Sequence, residues 1–288
     1  MNCLVCNSKT QLIFDKPIRL GKPGTLTPEN RKVFQCKKCH VAFLEKYNID
    51  YESDEYRNLV NKDASPESYY NQHDPEQIER LELIGFENVR NKTVADIGCG
   101  SGSFLDLVST SSSKVLAIEP TSTFKDELTR KGFEHFPYAK DALNKYKSKV
   151  DYLTSFAVIE HVDDALEFLK DCFELLSDDG LAVISTPNHD DWLIDFMGDT
   201  YKEFYYRNVH KWYFNFESFS FLAKQAGFSK VEAVYRHQYD LSNMLFWLKE
   251  SKPTGNGKIN LFSEINNDYK KVLEKEGISN YVYFKLSK

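Results

Sequence analysis

The sequence predicts an α/β protein: a seven-stranded, mostly parallel sheet with helices on both faces, behind a small N-terminal metal-binding domain. Three observations predict it. From Asn91 onward, short apolar runs alternate with amphipathic stretches, the pattern of βαβ units that assemble a parallel sheet. The first run ends in a turn carrying Gly98, Gly100 and Gly102. Four of the six cysteines stand within the first 39 residues, as two Cys-x-x-Cys pairs.

The strands follow in order: Thr93–Ile97, Lys114–Ile118, Phe133–Phe136, Tyr152–Phe156, Leu181–Ser185, Lys230–Arg236 and Tyr281–Leu286. Between them, Phe104, Leu105, Leu107 and Val108 start one helix, residues 122–131 form a second, and Asp163 or Asp164 caps a third. Three segments separate by composition. Residues 1–45 form a zinc-binding domain, and 46–90 a helical connector or lid. Residues 91–288 form the main domain, with inserts near 187–215 and 237–278. The connector helix is expected to begin at Asp74, with Pro75 at its first position and Ile78, Leu81 and Ile84 on its apolar face.

With 288 residues and 41% hydrophobic content the chain can bury a sizeable core. Its net charge of −6 argues against a nucleic-acid grip, which calls for a basic face. No apolar stretch approaches the roughly 20 residues of a transmembrane helix, and no basic, then apolar, leader follows Met1. The expected setting is therefore cytoplasmic, without a membrane span. The oligomeric state is left open.

Cys3-x-x-Cys6 and Cys36-x-x-Cys39 are pincers with equal spacing, separated by 29 residues. Four thiolates satisfy the tetrahedral preference of zinc, and a closed four-sulfur shell is structural. A segment of this size gains from the metal what its small core lacks. Paired redox motifs are the alternative, and His40 is a spare ligand.

Asp96-Ile97-Gly98-Cys99-Gly100-Ser101-Gly102 places glycines at alternate positions. That spacing is wrong for a nicotinamide fingerprint and lacks the Gly-Lys-Ser/Thr of a P-loop. Glycines here let the backbone approach a ligand. Glu119, 23 residues after Asp96, ends the second strand, where a carboxylate can accept from both hydroxyls of a ribose. An adenosine-bearing ligand is implied. An ordinary βα turn and a solvated strand end are the plainer readings.

Asp-x-Gly-x-Gly-x-Gly with an acidic residue ending strand two resembles the class I, Rossmann-like methyltransferases. The resemblance covers about residues 90–236 and includes Asp151–Val162 as the fourth-strand motif and Leu175–Leu181 as the turn into strand five. It implies S-adenosylmethionine as cofactor, with Asp96, Gly98, Cys99, Gly100, Gly102, Glu119, Pro120 and Phe156 around it. It also implies methyl transfer to a small-molecule acceptor. With the cysteine unit in front, the chain resembles bacterial sugar methyltransferases. That points to a sugar, nucleotide-sugar or surface-polysaccharide precursor methylated at oxygen or carbon. An RNA or protein methyltransferase that docks through the zinc unit is the alternative.

An oxygen or carbon acceptor calls for a general base, most often His. His161, beside Glu160 and just past strand four, is the first candidate, and His210 in the aromatic insert the second. Helix capping by His161 and a structural role for His210 are the competing readings. Tyr201, Tyr205, Tyr206, Trp212 and Tyr213 are expected to wall an acceptor or pack as cover. Tyr70 and His73 are expected to close over the cofactor.

Overall fold

The computed structural model describes residues 1–21, 23–46, 65–251, 253 and 259–288. The first part of the expected connector, 47–64, lies outside them. The chain divides into two compact units.

The first unit comprises Met1–Ile49, Thr186–Phe221 and Ala233–Tyr283. In it β1 (Thr10–Lys16), β2 (Arg31–Cys36), β3 (Ala42–Leu44) and β9 (Trp212–Tyr213) form a four-stranded sheet. All three pairings are antiparallel. The cysteine segment therefore shares its sheet with the distant aromatic insert, through Ala42 opposite Tyr213 and Phe43 opposite Trp212. It shares a core with it too. Phe14, Ile18, Val33 and Leu44 pack with Leu193, Tyr201, Tyr206, Tyr213 and Trp247. Helices α6 (Trp192–Phe196), α7 (Asp199–Tyr205), α9 (Leu241–Glu250) and α10 (Ser263–Lys275) complete the unit. Asp191 caps α6 by accepting from Leu193 N.

The second unit comprises Asp50–Ser185, Leu222–Glu232 and Phe284–Lys288. Its elements are α1 (Pro66–Ile84), β4 (Thr93–Ile97), α2 (Ser103–Ser109), β5 (Lys114–Ile118), α3 (Ser122–Arg130), β6 (Glu134–Phe136), α4 (Ala139–Tyr146), β7 (Val150–Phe156) and α5 (Ala165–Leu175). The boundaries between the units fall inside β8 (Leu176–Pro187), α8 (Phe216–Ala226), β10 (Lys230–Arg236) and β11 (Tyr281–Ser287). The seven-stranded sheet has the order β10-β11-β8-β7-β4-β5-β6. The pairings of β4 with β5 and β7, β5 with β6, and β7 with β8 are parallel. Counted within the sheet this is 3-2-1-4-5-7-6, which reverses direction between its first and fourth strands. Open α/β sheets bind ligands outside the strand ends at such a switch point.

Two expectations change. Helix α1 starts eight residues before Asp74, at Pro66, with Ser65 as N-cap accepting from Ser68 N, and runs through Pro75. Its buried side matches the expected face only in part: Ile84 is buried, but Ile78 is 60% exposed and the polar Gln77 is buried in its place. Asp74 lies inside the helix and accepts a 2.5 Å bond from Ser103 Oγ at the start of α2. The inward stripe is mostly polar, so hydrophobic periodicity misplaces part of the face. The fifth sheet strand also begins earlier, at Leu176. A register shift between Val150 and Tyr152 of β7 lets β8 pair on both sides of Gly180.

Candidate functional site: a glycine turn at the sheet switch point and a four-cysteine cluster

The turn after β4 is built of backbone. Gly98, Gly100 and Gly102 have φ of 74°, 54° and 82°, a left-handed region costing other residues roughly 1–2 kcal/mol each. Space is equally tight. A Cβ on Gly98 would stand 2.3 Å from Val158 Cγ2, and one on Gly100 would stand 2.3–2.6 Å from the Tyr69 ring. Gly98 N and Cys99 N both donate to Ile118 O, fastening the turn to the end of β5. Gly102 is the N-cap of α2, so the turn delivers the chain into a helix N-terminus.

Glu119 is buried at the tip of β5. Gly100 N donates to its Oε2 and Thr121 N to its Oε1, each at 3.0 Å. The carboxylate is thus fixed against the glycine turn by two backbone N–H groups. Asp96, at the end of β4, is buried and accepts a 2.7 Å bond from Thr154 Oγ1. Burial pushes its carboxyl up to about 7; the Thr154 bond and the Arg80 charge oppose that rise and the Glu119 charge adds to it. Cys99 is buried and its thiol points to Gly100 O. Burial first, then the Asp96 and Glu119 charges, raise its pKa, so it is an inert thiol. Pro120 follows Glu119, half-buried. Phe156 ends β7 edge-on to Phe104.

Helix α1 adds groups that pattern reading missed. Tyr69 lies against Gly100, tilted against the His73 ring at 4.3 Å and edge-on to Phe124. Burial, then the Asp96 and Glu119 charges, keep its phenol protonated. Arg80 sits 4.6 Å over the Phe156 ring and bonds Glu76 and Gln77. Tyr70 donates to Ser101 O and Glu127, and so braces the turn from behind. Tyr69, His73, Gln77, Arg80 and Ile84 recur at three- and four-residue steps, a helical stripe in mostly polar letters. Read as a helix from Ser65, that stripe would have pointed to Tyr69 and Arg80.

Just past β7, Ala157 has a φ of 56°, a strained conformation of the kind found beside functional sites. His161 N donates to Val158 O. His161 and the buried Glu160 are 4.0 Å apart, with the His161 side chain 13% exposed. These two belong to the second unit. His210 belongs to the first, buried, with its N donating to Arg207 O. His189, also there, meets Tyr206 Oη at 3.0 Å. Burial, then the Lys202 charge, lower its pKa to about 4.

The four cysteines converge. Cys3 and Cys39 Sγ are 3.6 Å apart, Cys6 and Cys36 are 3.4 Å apart, and Cys6 and Cys39 are 3.6 Å apart. All are free thiols, and the four ligand atoms lie within 4.8 Å of one another. Sulfurs at 2.3 Å from a central zinc stand about 3.8 Å apart in a tetrahedron, so the donor set fits that ion. The two pairs share one local fold. Cys3 N donates to Ser8 O and Cys36 N to Val41 O. Asn7 and His40, each just after its pair, have φ of 56° and 58°. Val5 N donates to Cys3 Sγ, and Lys38 N and Cys39 N donate to Cys36 Sγ. Backbone donors aimed at sulfur stabilise thiolates. His40 instead faces Glu217 at 3.6 Å on the surface.

Fold and site together define the class: a Rossmann-like α/β domain with a glycine turn and a buried carboxylate at the switch point of its sheet. A family model described as "Methyltransferase domain" matches residues 70–233, more than half of the chain, and the chain belongs to that family. It is 29% identical over 101 residues to a "Probable S-adenosylmethionine-dependent methyltransferase" of Mycolicibacterium smegmatis, covering 34% of this chain and 38% of that one. It is also 29% identical over 109 residues to a ubiquinone biosynthesis O-methyltransferase of Actinobacillus pleuropneumoniae, covering 34% and 46%. The match thus spans less than half the length of either relative. A solved S-adenosylmethionine-dependent methyltransferase from Archaeoglobus fulgidus superposes with a TM-score of 0.54 at 19% identity, over 77% of this chain and 97% of that one. This shows a common fold.

Proposed function

We propose that the chain transfers a methyl group from S-adenosylmethionine to a small-molecule acceptor, a sugar, nucleotide-sugar or surface-polysaccharide precursor, at oxygen or carbon. The observation that carries this reading is the fastening of Glu119 to the glycine turn, both oxygens held by backbone N–H groups beside Gly100. The cofactor supplies an electrophilic methyl group on a sulfonium; the chain supplies position. Gly98, Cys99, Gly100 and Gly102 admit the cofactor to backbone distance, and Glu119 accepts from its ribose hydroxyls. Asp96, Pro120 and Phe156 complete the cradle, and Tyr69 covers the turn. His161 takes the acceptor proton with Glu160 beside it, and His210 is the second candidate base. Cys3, Cys6, Cys36 and Cys39 hold a structural zinc ion, since four sulfurs leave no open position for chemistry.

Calorimetric titration of the full chain with S-adenosylhomocysteine is expected to show one site per chain, and no binding would sink the proposal. In a turnover screen over nucleotide sugars, His161→Ala is expected to lower kcat about 10²–10⁴-fold, with S-adenosylhomocysteine affinity within about twofold. Unchanged turnover would remove His161 from the mechanism.

A further inference from the structure

Two arginines of the first unit stand in its aromatic core without an acidic partner. The backbone of Arg19 is clamped: its N donates to Glu203 O and Tyr206 O, and its O accepts from Asn208 N. The residue is only 5% exposed. Its guanidinium lies 4.5 Å over the Phe204 ring, and its Nε is buried with no hydrogen-bond partner. Arg207 bridges to Arg19 in parallel register, which sets the two backbones at neighbouring-strand distance, about 4.8 Å. The Tyr213 hydroxyl locks Arg207, accepting from its N at 3.0 Å and donating to its O at 3.1 Å. Burial lowers the pKa of Arg207, and the charges of Tyr239, Tyr213 and Tyr281 oppose that fall.

Among the described residues, no carboxylate stands within ion-pair distance of either guanidinium. The acid of this neighbourhood, Asp191, is committed elsewhere: it accepts from Tyr201 Oη at 2.6 Å and from Leu193 N. Burial pushes it up to about 7, against those two bonds. The same aromatic group joins both arginines. Phe204 and Tyr239 each pack on Trp247, at 5.8 and 4.8 Å. A buried cation without counter-charge costs several kcal/mol. Arg19, buried with an unpartnered Nε, and the half-buried Arg207 beside it, each on a locked backbone, together make a receptor for an anion. Guanidinium forks match phosphoryl oxygens, and two of them match a doubly charged group. The surrounding rings suit the flat face of a sugar or base.

We propose that Arg19 and Arg207 form an oxyanion site for a phosphate or diphosphate ester, and that the methyl acceptor carries such a group. The acceptor role rests on the methyl-transfer reading; the anion site does not. The test is calorimetric titration of the full chain with sodium pyrophosphate, with and without saturating S-adenosylhomocysteine, and in parallel with malonate. Wild-type protein is expected to bind one pyrophosphate in both conditions and malonate at least tenfold more weakly. Arg207→Gln and Arg19→Gln are each expected to weaken pyrophosphate at least tenfold, with S-adenosylhomocysteine affinity within twofold. Should either glutamine variant lose its thermal transition, Arg207→Lys and Arg19→Lys, which keep the charge and lose the fork, are expected to weaken it threefold or more. Failure of wild type to bind pyrophosphate, equal binding by the variants, or tighter binding of malonate each overturns the phosphoryl site. Loss of S-adenosylhomocysteine binding with pyrophosphate binding intact would instead sink the methyl-transfer reading alone.

Discussion

The glycine turn and the aromatic core of the first unit solve the same problem, holding polar groups where a ligand can use them, in opposite ways. The turn is local. Seven consecutive residues and one strand tip supply its donors through the main chain, and positive φ at three glycines makes it possible. The aromatic core is assembled from Arg19, Arg207, Tyr213, Tyr239 and Trp247, drawn from distant parts of the chain. A site made of backbone is robust to side-chain change but intolerant of any Cβ. A site made of scattered side chains depends on whatever clamps the segments together.

The clamp is where this comparison breaks most easily. Cys36→Ser, or zinc removal by a strong chelator, is expected to cost the first unit several kcal/mol, because ligand loss removes folding energy directly. Trp192, Trp212 and Trp247 all lie in that unit, so their fluorescence isolates the event. One zinc per chain by elemental analysis and a red-shifted, lower-temperature transition in the variant are expected; a metal-free protein with an unchanged transition would refute the clamp. Next in size, Gly100→Val places a side chain where the Tyr69 ring stands. It is expected to weaken S-adenosylhomocysteine more than about tenfold, given the overlap and the strain of a positive φ, while the tryptophan signal stays as in wild type.

Titration separates the units more gently. Asp96 has its pKa raised to about 7. The native state therefore holds a proton that the unfolded chain has released, and stability falls as pH rises from about 4 to 7. His189 has its pKa lowered to about 4. There the unfolded chain binds the extra proton, and stability is lost as pH falls from about 6.5 to 4. Urea unfolding of Asp96→Asn at pH 5 and pH 8 is expected to give a variant-minus-wild-type stability difference that grows with pH; a flat difference would contradict the burial of that charge. The smallest effect belongs to Ala157→Gly. Relief of its left-handed strain is offset by added freedom in the unfolded chain, for a net gain below about 1 kcal/mol, seen as a small rise in melting temperature.

Legibility follows the same division. The strand positions were readable because each βα unit writes its own apolar run and turn: β10 at Lys230–Arg236 agrees with the expected bounds, and β5 at Lys114–Ile118 does as well. The glycine spacing and Glu119 stand out in the sequence because each closes a strand at a fixed position in the chain. Tyr69 and Arg80 were not, because α1 buries a mostly polar stripe and leaves Ile78 in solvent, against the rule that the apolar side faces inward.

By itself the sequence determined the alternation of strands and helices, the positions where only glycine can turn the chain, and the pairing of four cysteines. These are encoded by neighbours in the chain. Tertiary structure alone decided that the cysteine segment shares a sheet with Trp212 and Tyr213, that Tyr69 covers Gly100, and that Arg19 lies beside Arg207. Such contacts join residues far apart in sequence, and their energy comes from packing and desolvation, which no local pattern records.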